Sequence, residues 1–128
     1  MPEVALLVDV ANVMGSRPDG WWRDRLGAAT RLMASLSGVS EVVVDGESHP
    51  VARILAVVEG KAKGASAPEP VEVIRATADG DSAIATAADR IVEEGGIPLV
   101  VTADRGLRAR LPQQALVAGP RALLDQMP

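Results

Sequence analysis

Val4-Ala5-Leu6-Leu7-Val8-Asp9-Val10-Ala11-Asn12 is the stretch on which the reading of this chain turns. Its first five residues are apolar without alternation, the pattern of a strand covered on both faces in the middle of a parallel sheet. The run ends in a carboxylate, Asp9, followed three residues later by an amide, Asn12. A carboxylate placed directly after such a run is costly to bury without a partner. The strand is therefore expected to deliver Asp9 and Asn12 to a polar rim of the sheet. Helix capping explains Asp9 poorly at this level, because the first helical pattern begins well downstream.

That pattern follows a turn-rich loop from Gly15 to Gly20. Trp22, Leu26, Ala29, Met33 and Leu36 recur at helical spacing until Gly38 ends the helix. Trp22 thus falls in the core stripe, and Trp21 is the tryptophan free to stack on a base, although packing is the commoner fate of both. Val42-Val43-Val44-Asp45-Gly46 reads as a short strand and turn. It forms a hairpin inserted at 40–52, ahead of the second parallel strand, Ile54 to Val58. His49, before Pro50, reads as a loop residue, and Lys61 to Pro70 as an exposed loop.

Val71 to Ile74 is a third strand, and Asp79-Gly80-Asp81-Ser82 opens a helix with Ile84, Ala87, Ala88, Ile91 and Val92 in its stripe. Ile97 to Val101 and Ala115 to Ala118 are the fourth and fifth strands. Gly119-Pro120 starts a last helix, with proline at its first position. Strands alternating with helices imply parallel strands joined by right-handed crossovers. The expected fold is α/β, a three-layer α/β/α sandwich around a central, mainly parallel sheet of order 3-2-1-4-5, with residues 1–128 forming a single domain.

Composition narrows the setting. The 128 residues suffice for one well-buried core. Aromatics make up 2%, with neither Phe nor Tyr, so Ala, Val and Leu must fill that core. Without cysteine there is no disulfide, thiolate metal site or cysteine nucleophile, and a reducing cytoplasmic home is expected. No basic region precedes the first apolar run as in a signal peptide, and no run approaches the roughly 20 residues of a membrane span. A net charge of −4 argues against a basic surface that coats nucleic acid, yet suits a site for cations.

The acids are placed where such a site would form. Asp9 follows the first strand, Asp79 and Asp81 the third, and Asp104 the fourth. In the expected order the first and fourth strands are neighbours, and ligands bind outside the carboxyl ends of such strands. Clustered carboxylates repel, so protons, cationic side chains or metal ions must compensate them. With no thiolates and no set of histidines, oxygen ligands point to Mg²⁺ or Mn²⁺. Glu59, after the second strand, is a further ligand or acceptor, and Arg17, Lys61, Lys63, Arg105 and Arg108 are candidates for phosphate contacts. Each has an ordinary alternative: Asp79, Asp81 and Asp104 as helix caps, Asn12 as a turn residue, and the basic residues and Glu59 as solvated surface. Ser82 and Thr102 lack the base that a nucleophile needs.

Three segments together resemble the motifs of PIN-like nucleases, in particular the bacterial NYN branch. They are Leu6-Leu7-Val8-Asp9-Val10-Ala11-Asn12, Ala78-Asp79-Gly80-Asp81-Ser82-Ala83-Ile84 and Val100-Val101-Thr102-Ala103-Asp104-Arg105. The resemblance spans nearly the whole chain in order. It implies a metal-dependent endoribonuclease acting on RNA, most naturally single-stranded, with Mg²⁺ or Mn²⁺ held by Asp9, Asp81 and Asp104 as catalytic residues. Asn12 matches the amide that supports the first Asp, and Asp79 an additional acidic position. Where many relatives carry adjacent acids this chain has Asp81-Ser82, which leaves Ser82 a supporting place and weakens a second metal site. Residues 40–50 have no counterpart in the family, and a hairpin there could alter substrate access or mediate a homodimer.

Other acidic α/β folds fit less well. A receiver domain needs adjacent acids after the first strand and a Lys after the fifth, a haloacid-dehalogenase-type phosphatase needs an acid where Ala11 stands, and a dinucleotide-binding domain needs a glycine-rich first turn. The remaining rival is a PIN-like module that binds RNA or a protein without cutting.

Overall fold

In the computed structural model, which describes residues 2–127, the apolar run forms β1 (Val4–Asp9), and all six of its residues are buried. Parallel neighbours flank it: β3 (Glu47–Val58), which sets Val57 opposite Asp9, and β5 (Pro98–Val101), which sets Val101 opposite Val8. Two more strands extend the sheet in parallel, β4 (Val71–Arg75) beside β3 and β6 (Leu116–Ala118) beside β5. The sixth, β2 (Glu41–Val44), runs antiparallel to the start of β3. The fold is mixed α/β with a mostly parallel sheet.

Because strand side chains alternate between faces, β1 feeds two cores. Val4, Leu6 and Val8 pack against α1 (Val10–Gly15), α2 (Arg25–Leu36) and α5 (Pro120–Leu124) through Val13, Met14, Leu32, Met33, Leu36 and Leu123. Ala5 and Leu7 face the other way, onto Ile84, Ala88 and Ile91 of α3 (Gly80–Glu93) and Leu107 of α4 (Arg105–Arg110). Small residues such as Ala28, Ala29 and Ala88 let the helices sit close to the sheet, which is how a chain without Phe or Tyr fills its interior.

The hairpin turns at Asp45 and Gly46, whose φ of 50° and 81° are both positive. That is the requirement of a tight two-residue turn, and Asp-Gly is a residue pair that meets it. The hairpin is the outward end of a single twelve-residue β3, whose last five residues pair with β4. His49 is buried within β3, opposite Val42, and not in a loop: Pro50 is accommodated at the strand's antiparallel end. At 60–65 the chain is likewise not a fully exposed loop, since Ala62 and Ala65 tuck into the core.

Two helical expectations change. The first helix, α1, begins directly after Asp9 and not well downstream of it. The tryptophans also exchange roles: a 3-10 turn spans Trp21–Arg23, and α2 starts only at Arg25, where Asp24 accepts the Gly27 N–H at 2.9 Å. That break shifts the helical phase, so Trp22 and Leu26 are 57% and 45% exposed while Trp21 packs on the core. Among the described residues no helix is long and apolar enough to cross a membrane.

The C-terminal end of the chain closes on β2. The Val43 N–H donates to Gln126 Oε1 at 2.7 Å, and Gln126 Nε2 donates to the Val43 carbonyl at 2.9 Å, so one amide side chain imitates a pairing strand. Gln126→Ala should cost about 1 kcal/mol of stability in urea denaturation, the scale of hydrogen bonds near the surface. It should also free the β2 edge for self-association, read by light scattering.

Candidate active site

At the end of β1 the backbone passes straight into α1, so Asp9 is its N-cap. The Asn12 N–H donates to Asp9 Oδ1 at 3.3 Å. Capping therefore does account for part of what Asp9 does, contrary to the sequence argument. The other oxygen has a different partner: Oδ2 accepts from the Thr102 hydroxyl at 2.8 Å, deep between the ends of β1 and β5. Thr102 is fully buried, and its oxygen accepts the Asp104 N–H at 3.1 Å. The Asn12 side-chain oxygen accepts the Ala103 N–H at 2.7 Å, a second tie between the two strand ends.

The third acidic segment arrives on α3. Asp79 caps this helix, accepting from the Ser82 N–H at 2.7 Å and from the Ser82 hydroxyl at 3.1 Å. Glu59, just beyond β3, accepts the Gly80 N–H. A Cβ at residue 80 would meet the Glu59 carboxylate, which would have to swing away and give up its bond from the Gly80 N–H. Asp81 lies in the first turn of α3, half-buried, and Asp104 caps α4 by accepting the Leu107 N–H at 3.0 Å.

These acids feel one another. Burial raises the Asp9 carboxyl above the ordinary carboxylate value; the hydrogen bonds from Thr102 and Asn12 oppose the rise, and the charges of Asp81 and Glu59 add to it. Asp81 is also raised, first by burial, then by the charge of Asp104 and a hydrogen bond with it, then by Asp79 and Glu59. Asp79 is lowered by its bonds from Ser82. Among the described residues the ion pairs join Arg31 to Asp19 and Arg53 to Glu72 and Glu94, so none of the five rim acids is in an ion pair; the one cationic influence is the charge of Arg110, which helps lower Asp79. Nor, among those residues, do three His, Asp or Glu side chains converge tightly enough to share one ion directly. The rim gathers the predicted acids as electrostatic neighbours.

The basic candidates separate. Arg108 donates to the Thr102 carbonyl at 3.0 Å, so it braces the rim's backbone. Arg105 is exposed on α4, and Arg17 is half-buried beyond α1. Arg110, which the sequence did not single out, donates to Ser82 Oγ at 3.1 Å and links α4 to α3 beside Asp79. Thr102, set aside in the sequence as a nucleophile without a base, instead holds Asp9 and Asp104. Its one available signal was its place between the buried end of β5 and Asp104, where a hydroxyl can serve both neighbours.

No protein-family model and no curated protein matches the chain. Among solved structures, the crystal structure of a tryptophan-to-leucine variant of Rae1 (YacP) from Bacillus subtilis is similar, with a TM-score of 0.74 and 22% sequence identity. The likeness covers 96% of this chain and 74% of that one. It is a likeness of fold.

Two outcomes follow from this geometry. Thr102→Val removes a donor to Asp9 and an acceptor from Asp104 inside a buried site, and should cost about 1–3 kcal/mol in chemical denaturation, with Thr102→Ser closer to wild type. Asp9 sets a pH dependence of opposite sign to that of an ion-paired carboxylate. Below the ordinary carboxylate pKa both folded and unfolded chains hold the proton and there is no penalty. As pH rises through the raised value, the folded chain must ionise a buried acid and loses stability. In EDTA, the melting temperature of Asp9→Asn relative to wild type should therefore climb as pH goes from about 4 to about 7.

Proposed function

We propose that this protein is a metal-dependent endoribonuclease that hydrolyses phosphodiester bonds of single-stranded RNA at the rim formed by Asp9, Asp81 and Asp104. The observation that carries the reading is the gathering of carboxylates at adjoining strand and helix ends without a cationic partner among the described residues. Uncompensated oxygens of this kind fit Mg²⁺ or Mn²⁺ in donor type. Mg²⁺ commonly keeps several waters and takes only one or two carboxylates directly, so acids that do not converge on one point are compatible with it. When bound, such an ion lowers the pKa of water and stabilises the leaving oxygen.

The chain's own residues have distinct parts in this scheme. Asp9 is held in one orientation by Asn12 and Thr102, which keeps its carboxylate aimed along the rim. Asp81 and Asp104 face each other across the ends of α3 and α4 and supply the remaining oxygens. Glu59 and Asp79 position the start of α3, and Ser82 ties it to Arg110. Arg105 and Arg110 are the cations best placed to meet phosphates. The three motifs support this assignment, and the likeness to Rae1 supports a nuclease-like fold. The finer architecture we propose is the PIN-like three-layer sandwich whose parallel strands β4-β3-β1-β5-β6 take the order 3-2-1-4-5 when β2 is left out of the count, and the setting is the cytoplasm. The lack of a converged three-acid set among the described residues favours one rival, a module that binds RNA without cutting it.

Incubation with single-stranded RNA and Mn²⁺ decides between them. Wild type should cleave internally, EDTA should stop it, and Asp9→Asn should lose the activity. Asn12→Ala, which unties a supporting residue, should cost about 10- to 100-fold. Equal cleavage by wild type and Asp9→Asn would overturn the assignment.

A further inference from the structure

We infer that Trp22, with Arg23 and Arg25, forms a platform on which an unpaired nucleobase of the RNA stacks while its backbone runs toward the acidic rim; this rests on the nuclease reading above. The chain contains two tryptophans and no Phe or Tyr, and both tryptophans lie in one 3-10 turn, Trp21–Arg23. Trp21 is the anchor. Its ring packs beside the end of α1, 3.8 Å from the point where a side chain on Gly15 would begin, and against the core on that face. Trp22 meets it edge-on, with centroids 5.9 Å apart and planes at 89°, and remains 57% exposed. A rigid indole held outside a core that has almost no aromatic surface is the opposite of what packing alone would select.

The surroundings specify the partner. The Arg23 guanidinium lies 5.8 Å from the Trp22 ring centroid and that of Arg25 lies 5.4 Å from the Trp21 centroid, within the range of cation–π contact. Neither arginine is in an ion pair among the described residues, so both charges can meet phosphates. Alternating indole and guanidinium groups suit a single strand, because only an unpaired base offers its face and every base has one. Arg25 also lines a cleft of about 330 Å³ together with Ala11, Met14, Glu59, Gly60 and Asp79, which joins the platform to the acids. From Asp9, the N-cap of α1, to Gly15, its last residue and the one beside Trp21, the helix rises about 9 Å at 1.5 Å per residue. One continuous strand can touch both.

Intrinsic fluorescence reports this site directly, since it arises from Trp21 and Trp22 alone. Oligouridylate titrated into the Asp9→Asn protein in EDTA should quench it saturably, and an RNA duplex should do so far less. Trp22→Ala, at an exposed position, should weaken binding measured by anisotropy of labelled RNA by roughly 5- to 150-fold, the loss of one base stack. Trp22→Phe should restore most of it. Arg25→Ala should lower the slope of affinity against salt by about 0.7, whereas Trp22→Ala should leave that slope unchanged. If wild type cleaves RNA and Trp22→Ala binds and cleaves it equally well, the platform is wrong and the nuclease assignment stands. If Trp22→Ala loses affinity while wild type never cleaves, the platform stands and the nuclease assignment falls. Absence of any binding to single strands overturns the platform.

Discussion

The hydrogen bond from the Thr102 hydroxyl to Asp9 Oδ2 joins the carboxyl ends of two neighbouring parallel strands in a place that water barely reaches. A buried carboxylate without such partners would be expensive. Here one oxygen is satisfied by a hydroxyl just beyond β5 and the other by the first turn of α1, so the acid can stay at the sheet's rim. The same Thr102 oxygen accepts the Asp104 N–H, and Asn12 reaches across to Ala103. The relative positions of β1, α1, β5 and α4 are therefore set by a handful of short polar contacts placed above two apolar cores.

Capping and site formation are one arrangement in this protein. Asp9, Asp79 and Asp104 each accept backbone N–H groups at the start of α1, α3 and α4. The positive ends of those helices thus face the rim and offset part of the repulsion among the acids. The offset is incomplete, as the raised carboxyls of Asp9 and Asp81 show. What remains is a negative, partly desolvated edge, with Arg25 in the cleft that Glu59 and Asp79 line.

Much of this was legible in residue order. Five unbroken apolar residues marked β1 as a covered strand, and acids after apolar runs marked the strand ends. The departures have physical causes. Trp22 and Leu26 matched a helical stripe, but Asp24 caps a helix that begins at Arg25, and the 3-10 turn before it breaks the phase. His49 looked like loop because it precedes a proline, yet pairing with β2 carries β3 outward through both residues. Thr102 and Arg110 gave almost no local signal, since their partners lie 93 and 28 residues away in the chain.

By itself the sequence determined the α/β class, the mostly parallel sheet and the identity of the acids, because periodicity and the cost of burying charge act on neighbouring residues. Only the tertiary structure decided which acids feel one another, which hydroxyl holds Asp9, and which tryptophan faces solvent. Those outcomes depend on strand pairing and helix phase, which bring together groups that are remote in sequence. The carboxylate after the first apolar run is the point where the two kinds of information meet: its chemistry was plain from the residues beside it, and its partner came from the far end of the chain.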